Sequence, residues 1–411
     1  MIHPSIHTQN GVLHLDSVPL DQLAEQVGTP AYVYSLPRTL ANYRRLAEAF
    51  AGMDAHIHYS AKANGNLSIL RALVAEGAGI DAVSAGECYR ALQAGCAPED
   101  IVFAGVGKTP EELRWALEHR IGWFNAENVR EIEHLERLAA ELGTVARVNL
   151  RLKPGVTANT HPYIATGHGG AKFGLTAEAV GHLLARRADY PHVHIAGIHV
   201  HIGSQLGDTH ATVEAVEHAL EMIAPYPDIR TVDIGGGMPA PYTPDAQLPT
   251  PSEFAEAVRP LLRGYQVLVE PGRSIIADAG ILLMRVLYIK RQAGQRIVIV
   301  DGSMAELIRP ALYQAKHWIV PVRQTGGALS PTQVVGPVCE TADVLGRDVP
   351  LPEVEEGDLL AVLTAGAYGM VMASNYNARP RPPEIVIEPD GATWRVARQR
   401  ESWDDLLRGE R

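Results

Sequence analysis

Cysteine is scarce: Cys88, Cys96 and Cys339 are the only three in 411 residues, and no pair has CxxC spacing. Neither a disulfide framework nor a structural zinc site is indicated, and a reducing cytoplasm suits the count. Positive charge is in deficit as well. Lys and Arg number 36 against 47 Asp and Glu, a formal net charge of −11, which argues against nucleic acid as a partner because phosphate backbones need a basic face. A small anion in a locally positive pocket stays open. No apolar run approaches the roughly 18 residues of a membrane span, and the opening MIHPSIHTQNG has no basic segment ahead of an apolar core. The expectation is a cytoplasmic protein with no membrane partner. Low-complexity tracts, Ser/Gly linkers and obvious internal repeats are missing too. The 46% hydrophobic and 20% charged residues are those of an ordinary folded chain of two or three domains.

What is present is a beat. Short β-branched runs recur: IHYS (57–60), GIDAVS (79–84), IVFAG (101–105), GWFNA (122–126), ARVNLRL (146–152), IAGIHVHIG (195–203), TVDIGGG (231–237) and VLVEPG (267–272). Amphipathic stretches such as NLSILRALVAEG and NVREIEHLERLAAELG lie between them, several stopped by glycine. TPEELRWALEHR opens with Thr109 as a cap, Pro110 in the first turn, and Glu111 and Glu112 against the helix dipole. The alternation predicts an α/β fold, a (β/α)8 TIM-type barrel over residues 31–276, with a doubly wound open sheet as the alternative. After Arg273 the beat changes. Runs such as GILLMRVLYIKRQ, RIVIVDGS and EIVIEPDGATWRVARQR predict a C-terminal mainly-β domain over 277–411, on which residues 1–30, with their own run GVLHLDSV, are expected to pack.

A barrel of this kind builds its site at the C-terminal ends of its strands. Those ends carry Lys62, then Ser84 and Glu87, Lys108, Asn125 and Glu127, Arg151, His201 and Ser204, Gly235, Gly236 and Gly237, and finally Glu270 and Arg273. Taken alone, Lys62 is most simply a solvated turn residue. The glycine triplet admits a tight turn or a backbone cradle for a phosphate, to which Arg273 adds fixed positive charge. A phosphate site at the late strands and a lysine at the end of the first together suggest pyridoxal phosphate, whose aldehyde condenses with an amine. Glu270 is then placed to serve the pyridine nitrogen. The HxH pair of GIHVHIGSQ can bind a divalent metal, since alternate residues share a strand face. No complete ligand set accompanies it, so no metal is expected, and His201 reads better as a ring lying flat against a cofactor.

The set YSAKAN, HIGSQ, DIGGG, EPGRS, GPVCE and GAYG resembles the fold-type III pyridoxal-phosphate decarboxylases, a group related in fold to alanine racemase. THPYIATG…KFG (160–174) and SNYNARPRPPE (374–384) are similar to the diaminopimelate decarboxylase branch, and the resemblance runs from about residue 10 to 400. It implies pyridoxal-phosphate-dependent decarboxylation of meso-2,6-diaminopimelate to L-lysine and CO2. By the same resemblance Lys62 carries the cofactor, His201 stacks on its ring and Glu270 pairs with the ring nitrogen. Ser204, the backbone of Gly235, Gly236 and Gly237, Arg273 and Tyr368 surround the phosphate, with Asp81 and Arg151 near the lysine and the ring. For the substrate, Arg273, Arg309, Tyr313 and Tyr368 line the pocket, with the arginines and Tyr313 answering to the distal carboxylate, and Glu340 to the distal ammonium. Such arginine recognition discriminates against ornithine, which has no distal carboxylate. The resemblance also implies a homodimer with shared sites, in which Cys339 and Glu340 reach the partner's pocket and Cys339 is the candidate proton donor.

Three departures from the family pattern stand out. Thr341 replaces a common serine, the glycine run continues as MPAPY, and the 160–174 loop is short. The nearest alternatives are related decarboxylases acting on ornithine, arginine or carboxynorspermidine. An amino-acid racemase would set an arginine against the ring nitrogen, and a non-catalytic pyridoxal-phosphate-binding protein would be a short single barrel.

Overall fold

The computed structural model describes residues 4–410 apart from 158, 162–163, 165 and 168–169. Pro162, Tyr163 and Ala165 of the THPYIATG stretch therefore lie outside the described residues. Two units divide the chain: Asn42–Pro239 with Leu248–Ser274, and Met1–Ala41 with Ala240–Gln247 and Ile275–Arg411.

In the first unit the eight β-branched runs become eight parallel strands, Asp54–Ser60, Gly79–Ala82, Ile101–Phe103, Trp123–Ala126, Ala146–Arg151, Val193–His199, Thr231–Asp233 and Gln266–Val269. They pair in chain order and close, the eighth against the first, into the expected barrel rather than an open sheet. Helices follow the strands and start where side chains satisfy their first N–H groups. Thr109 and Glu112 form a reciprocal capping box ahead of Pro110, as do Thr250 and Glu253 ahead of Pro251, while Gly143 closes the helix Val129–Leu142 in the left-handed conformation. Each such cap is worth about 1 kcal/mol.

The sixth strand is irregular. Its register against the fifth slips between Ile195 and Gly197, and a slip of this kind re-aims the side chains that follow. Gly197 is a steric requirement, since a Cβ there would lie 2.4 Å from Asn149 Oδ1 and 2.5 Å from the Thr231 carbonyl. Beyond it His199 is buried, with Nε2 3.4 Å from Glu270 Oε2.

The second unit is a mainly-β fold, as expected. Its nine-stranded sheet is organised around the long strand Gly280–Gln292, which pairs with Ala31–Ser35, Gln295–Val300 and Leu359–Val362. The first five residues of that strand, Gly280 to Met284, are buried without a break and the rest becomes progressively exposed, so it begins as an interior strand and ends at the surface. A three-stranded meander, Ile6–Gln9, Val12–Leu15 and Val18–Pro19, supplies Ile6, Leu13 and Leu15 to a core shared with Val33, Ile281, Leu283, Ile385 and Ile387.

Candidate active site

The turn that carries Lys62 is held from several sides. The first barrel strand ends at Ser60, and the chain passes into one 3-10 turn, Ala61–Ala63, whose alanines are buried while the Lys62 side chain keeps 33% exposure. The Tyr59 hydroxyl donates to the Asn64 carbonyl at 3.1 Å, Asn64 Oδ1 accepts from the Asn66 N–H at 3.0 Å, and Asn66 caps the helix Leu67–Ala75. Asparagines placed this way bond their own backbone and fix a turn. Gly272 packs so closely on it that a Cβ would meet Ala63 Cβ at 2.9 Å and Ser60 Cβ at 3.0 Å. The EPGR turn after the eighth strand is thereby seated on the SAKA turn after the first.

Lys62 Nζ donates to Asp81 Oδ2 at 3.0 Å, and the same oxygen accepts from Ser60 Oγ at 2.6 Å. Burial pushes the Asp81 carboxyl above its ordinary range and the Glu270 charge adds to this, with Lys62 and Ser60 opposing. Asp81 Oδ1 is buried with no hydrogen-bond partner among the described residues. An amine beside a carboxylate of this kind is set up to exchange a proton.

Deeper in the barrel lies a polar cluster. Asn125 Nδ2 donates to Glu270 Oε1 at 2.8 Å and to Asp233 Oδ2 at 2.9 Å, while Asn125 Oδ1 accepts from Asn149 Nδ2 at 2.9 Å. Two buried carboxyl groups this close do not both ionise. Burial, reinforced by the Glu270 charge, raises Asp233 well above the usual range. Burial also pushes Glu270 upward, but His199, the Lys62 charge and a hydrogen bond from Asp233 outweigh it and hold Glu270 below the ordinary carboxylate range. Asp233 keeps the proton and Glu270 the charge.

Around the glycine triplet, Gly235 N–H donates to Asp233 Oδ1 at 2.9 Å and Gly236 N–H to His201 Nδ1 at 3.2 Å. Burial, and then the Lys62 and Arg151 charges, hold His201 well below its ordinary pKa, so the ring is neutral with its Nδ1 lone pair engaged. The triplet is demanded by packing: a Cβ on Gly236 would lie 2.2 Å from the Glu270 carbonyl, and one on Gly235 2.6 Å from that of Val200. Arg273 reaches Ser204 Oγ with Nε at 3.1 Å and Nη2 at 3.0 Å. Arg151, half-stacked on Phe173 at 4.9 Å, donates to Glu127 Oε1 at 2.6 Å, and Glu127 Oε2 accepts from Gly174 N–H at 3.0 Å. That carboxylate ties Arg151 to the end of the 160–174 loop.

The barrel unit thus holds Lys62, Asp81, Arg151, His201, Ser204, Gly235, Gly236, Gly237, Glu270 and Arg273. The remaining predicted residues belong to the second unit. Arg309 is buried at the start of the helix Arg309–Tyr313, with Nη1 2.8 Å from His317 Nε2 and its guanidinium 4.2 Å over the Tyr242 ring. Cys339 and Glu340 are exposed, and the Cys339 N–H donates to Asn377 Oδ1 at 2.8 Å. Tyr368 adopts φ +55, a left-handed conformation rare for an aromatic residue, in a segment where a Cβ on Gly366 would lie 2.0 Å from the Ile276 carbonyl. Sequence reasoning missed Ser60, Asn149 and Asp233 as site residues, and read His199 only as half of an HxH pair that lacked a complete metal-ligand set. The signal was there, an amide or carboxyl side chain within a short strand run, as Asn149 in ARVNLR and Asp233 in TVD.

An amine on a rigid turn, an ionised buried carboxylate, a neutral imidazole and an arginine–serine pair are the donor set that a phosphorylated pyridine aldehyde requires. Residues 38–277 match the family described as "Pyridoxal-dependent decarboxylase, pyridoxal binding domain". The chain is 44% identical to a diaminopimelate decarboxylase of Pseudomonas aeruginosa over 404 residues, 97% of this chain and 96% of that one. Its fold is similar to that of diaminopimelate decarboxylase from Helicobacter pylori complexed with L-lysine, with a TM-score of 0.90 and 39% identity over 95% of this chain and 98% of that one. It is also similar to the diaminopimelate decarboxylase of M. jannaschii in co-complex with L-lysine, with a TM-score of 0.93 and 35% identity over 99% and 98% of the two chains.

Proposed function

We infer, for a chain that belongs to the pyridoxal-dependent decarboxylases and within them to the diaminopimelate decarboxylase family, that its barrel residues serve decarboxylation of meso-2,6-diaminopimelate to L-lysine and CO2. Pyridoxal 5′-phosphate is the cofactor. Support for the site roles comes from one observation above all. Lys62 Nζ and the backbone of Glu270 are linked through Asp81 and Ser60: Asp81 Oδ2 accepts from Lys62 Nζ at 3.0 Å and from Ser60 Oγ at 2.6 Å, and Ser60 Oγ lies 3.0 Å from the Glu270 main-chain carbonyl.

The cofactor, when bound, supplies an electron sink for the pair left behind by the departing carboxylate. Lys62 Nζ is the atom that would hold it, and Asp81 Oδ2 the acceptor for the lysine proton. Glu270, kept charged by its surroundings, would hold a proton on the ring nitrogen; a racemase would place an arginine there. The neutral His201 offers a ring face rather than a second positive charge. Arg273 and Ser204 would bind the phosphate beside the glycine backbone, with Tyr368 completing that end.

On the substrate side, Arg309, Tyr313 and Arg273 would bind the distal carboxylate, and Glu340 the distal ammonium. The exposure of Cys339 and Glu340 suits residues that complete the site of a second copy, so a homodimer with shared sites is the proposed working form, and Cys339 Sγ the proton donor to the reacting carbon. The free buried thiols of Cys88 and Cys96 suit a reducing cytoplasm, the proposed location. Among the described residues no helix is long and apolar enough to cross a membrane. Purified protein with pyridoxal phosphate is expected to release CO2 from meso-diaminopimelate and to form L-lysine, with L-ornithine and L-arginine reacting poorly. A preference for ornithine would remove the roles given to Arg309 and Tyr313.

A further inference from the structure

Arg309 is held in a cradle that the reaction as described does not use. Its helix ends at Tyr313, after which Gln314 takes φ +53 and turns the chain back, so that His317 returns beside the guanidinium. His317 Nδ1 lies 3.0 Å from the Leu363 carbonyl and Nε2 lies 2.8 Å from Arg309 Nη1. A carbonyl can only accept and a guanidinium can only donate, so the ring carries its proton on Nδ1 and presents a lone pair at Nε2. The other face is aromatic. Arg309 Cζ lies 4.2 Å from the centroid of Tyr242, whose ring meets that of His317 edge-on at 5.1 Å and 80°. Tyr242 ends the MPAPY stretch, the departure that the family pattern left unexplained.

One short segment anchors both walls. Leu363 supplies the carbonyl that orients His317, and the next residue, Thr364, donates through Oγ1 to the Pro241 carbonyl at 3.1 Å, next to Tyr242. Both walls are uncharged, so they set the direction of the guanidinium fork without adding a negative charge of their own. Bidentate recognition of a carboxylate depends on that direction.

We propose that His317 and Tyr242 are positioning residues that aim Arg309 at the distal carboxylate of the substrate, and that His317, as a neutral Nδ1–H tautomer, sets the selectivity for carboxylate-bearing ligands. The proposal rests on the role given to Arg309 above. It has a sharp consequence. L-Lysine keeps the carboxylate that Arg309 would read, whereas cadaverine, the same chain without it, does not, so a loosened Arg309 penalises only the first.

Equilibrium binding of L-lysine and of cadaverine to the cofactor-loaded protein, followed by cofactor absorbance, reads this directly. His317→Leu is expected to weaken L-lysine about tenfold, the scale of one hydrogen bond to a charged group, and to leave cadaverine within twofold. KM for meso-diaminopimelate should rise more than kcat falls. His317→Gln, which returns an acceptor near the position of Nε2, should recover most of the L-lysine affinity, and Tyr242→Leu should cost about threefold. Equal losses for both ligands in His317→Leu, or none, would overturn the proposal. Should His317→Leu fail to fold, His317→Gln decides: retained preference for L-lysine supports the cradle and a tenfold loss of that preference overturns it. Arg309→Ala separates the two levels. If it leaves the L-lysine preference intact, the role given to Arg309 falls; if it abolishes the preference while His317→Leu does not, only the positioning role falls.

Discussion

Asp233 and Glu270 share one amide. Asn125 Nδ2 lies 2.9 Å from the first carboxyl and 2.8 Å from the second, and the pair divides its ionisation, with the proton on Asp233 and the charge on Glu270. The division follows from surroundings. Glu270 has His199 at 3.4 Å and feels Lys62, while Asp233 is buried beside a charge of its own sign.

Substitutions at Asp233 should therefore be graded. Asp233→Asn keeps a donor toward Glu270 but loses the acceptor for Asn125, and is expected to cost about 1 kcal/mol. Asp233→Ala removes both and should cost about 3 kcal/mol. Urea unfolding of the cofactor-free variants measures the order, and equal costs would remove the shared proton from this account.

His58 should make the protein acid-sensitive. Burial, with a smaller contribution from His56, holds it down at about 4 against an ordinary 6.5. An unfolded histidine takes up its proton as pH falls through about 6.5, and the native one resists until about pH 4. The stability is full above that upper value and is lost on the way down, by roughly 3 kcal/mol in total. His201, also depressed, acts with the same sign. His58→Leu should shrink the difference between urea midpoints measured at pH 7.5 and pH 5, and an unchanged difference would assign the sensitivity elsewhere.

Gly236→Ala tests the packing reason for the glycine triplet. The new methyl would sit 2.2 Å from the Glu270 carbonyl and force the EPGR turn away, so a loss of about 1–3 kcal/mol in stability and weaker cofactor retention on gel filtration are expected. Gly143→Ala is the contrast. Its Cβ meets nothing within 4 Å, and only the left-handed backbone is penalised, by about 1 kcal/mol.

Lys62→Ala should fold, since the side chain it removes is one-third exposed, but should show no visible absorbance from covalently held cofactor. A persistent band after dialysis would dismiss Lys62 as the attachment point.

The barrel was legible because its strands are apolar and β-branched at regular intervals, and all eight runs read from the sequence became strands. The caps at Thr109 and Gly143 were legible for the same local reason. What was not legible depends on closure. Asn149 and Asp233 look like ordinary polar interruptions until the barrel brings them together with Asn125 and Glu270, and His199 depends on a register slip that no periodicity announces. The pairing of Ala31–Ser35 with Gly280–Gln292 is likewise a long-range event, as is the return of Tyr242 and His317 to Arg309.

Closure also sets a timetable. His56 on the first strand and Gln266 on the eighth are neighbours 3.3 Å apart at positions separated by 210 residues. At ribosomal rates of about 5–20 residues per second, the first strand waits on the order of 10–40 s with an unsatisfied edge before its partner is made. During that interval the strand Asp54–Ser60, which has no proline to block pairing, keeps an open edge that only the last barrel strand closes.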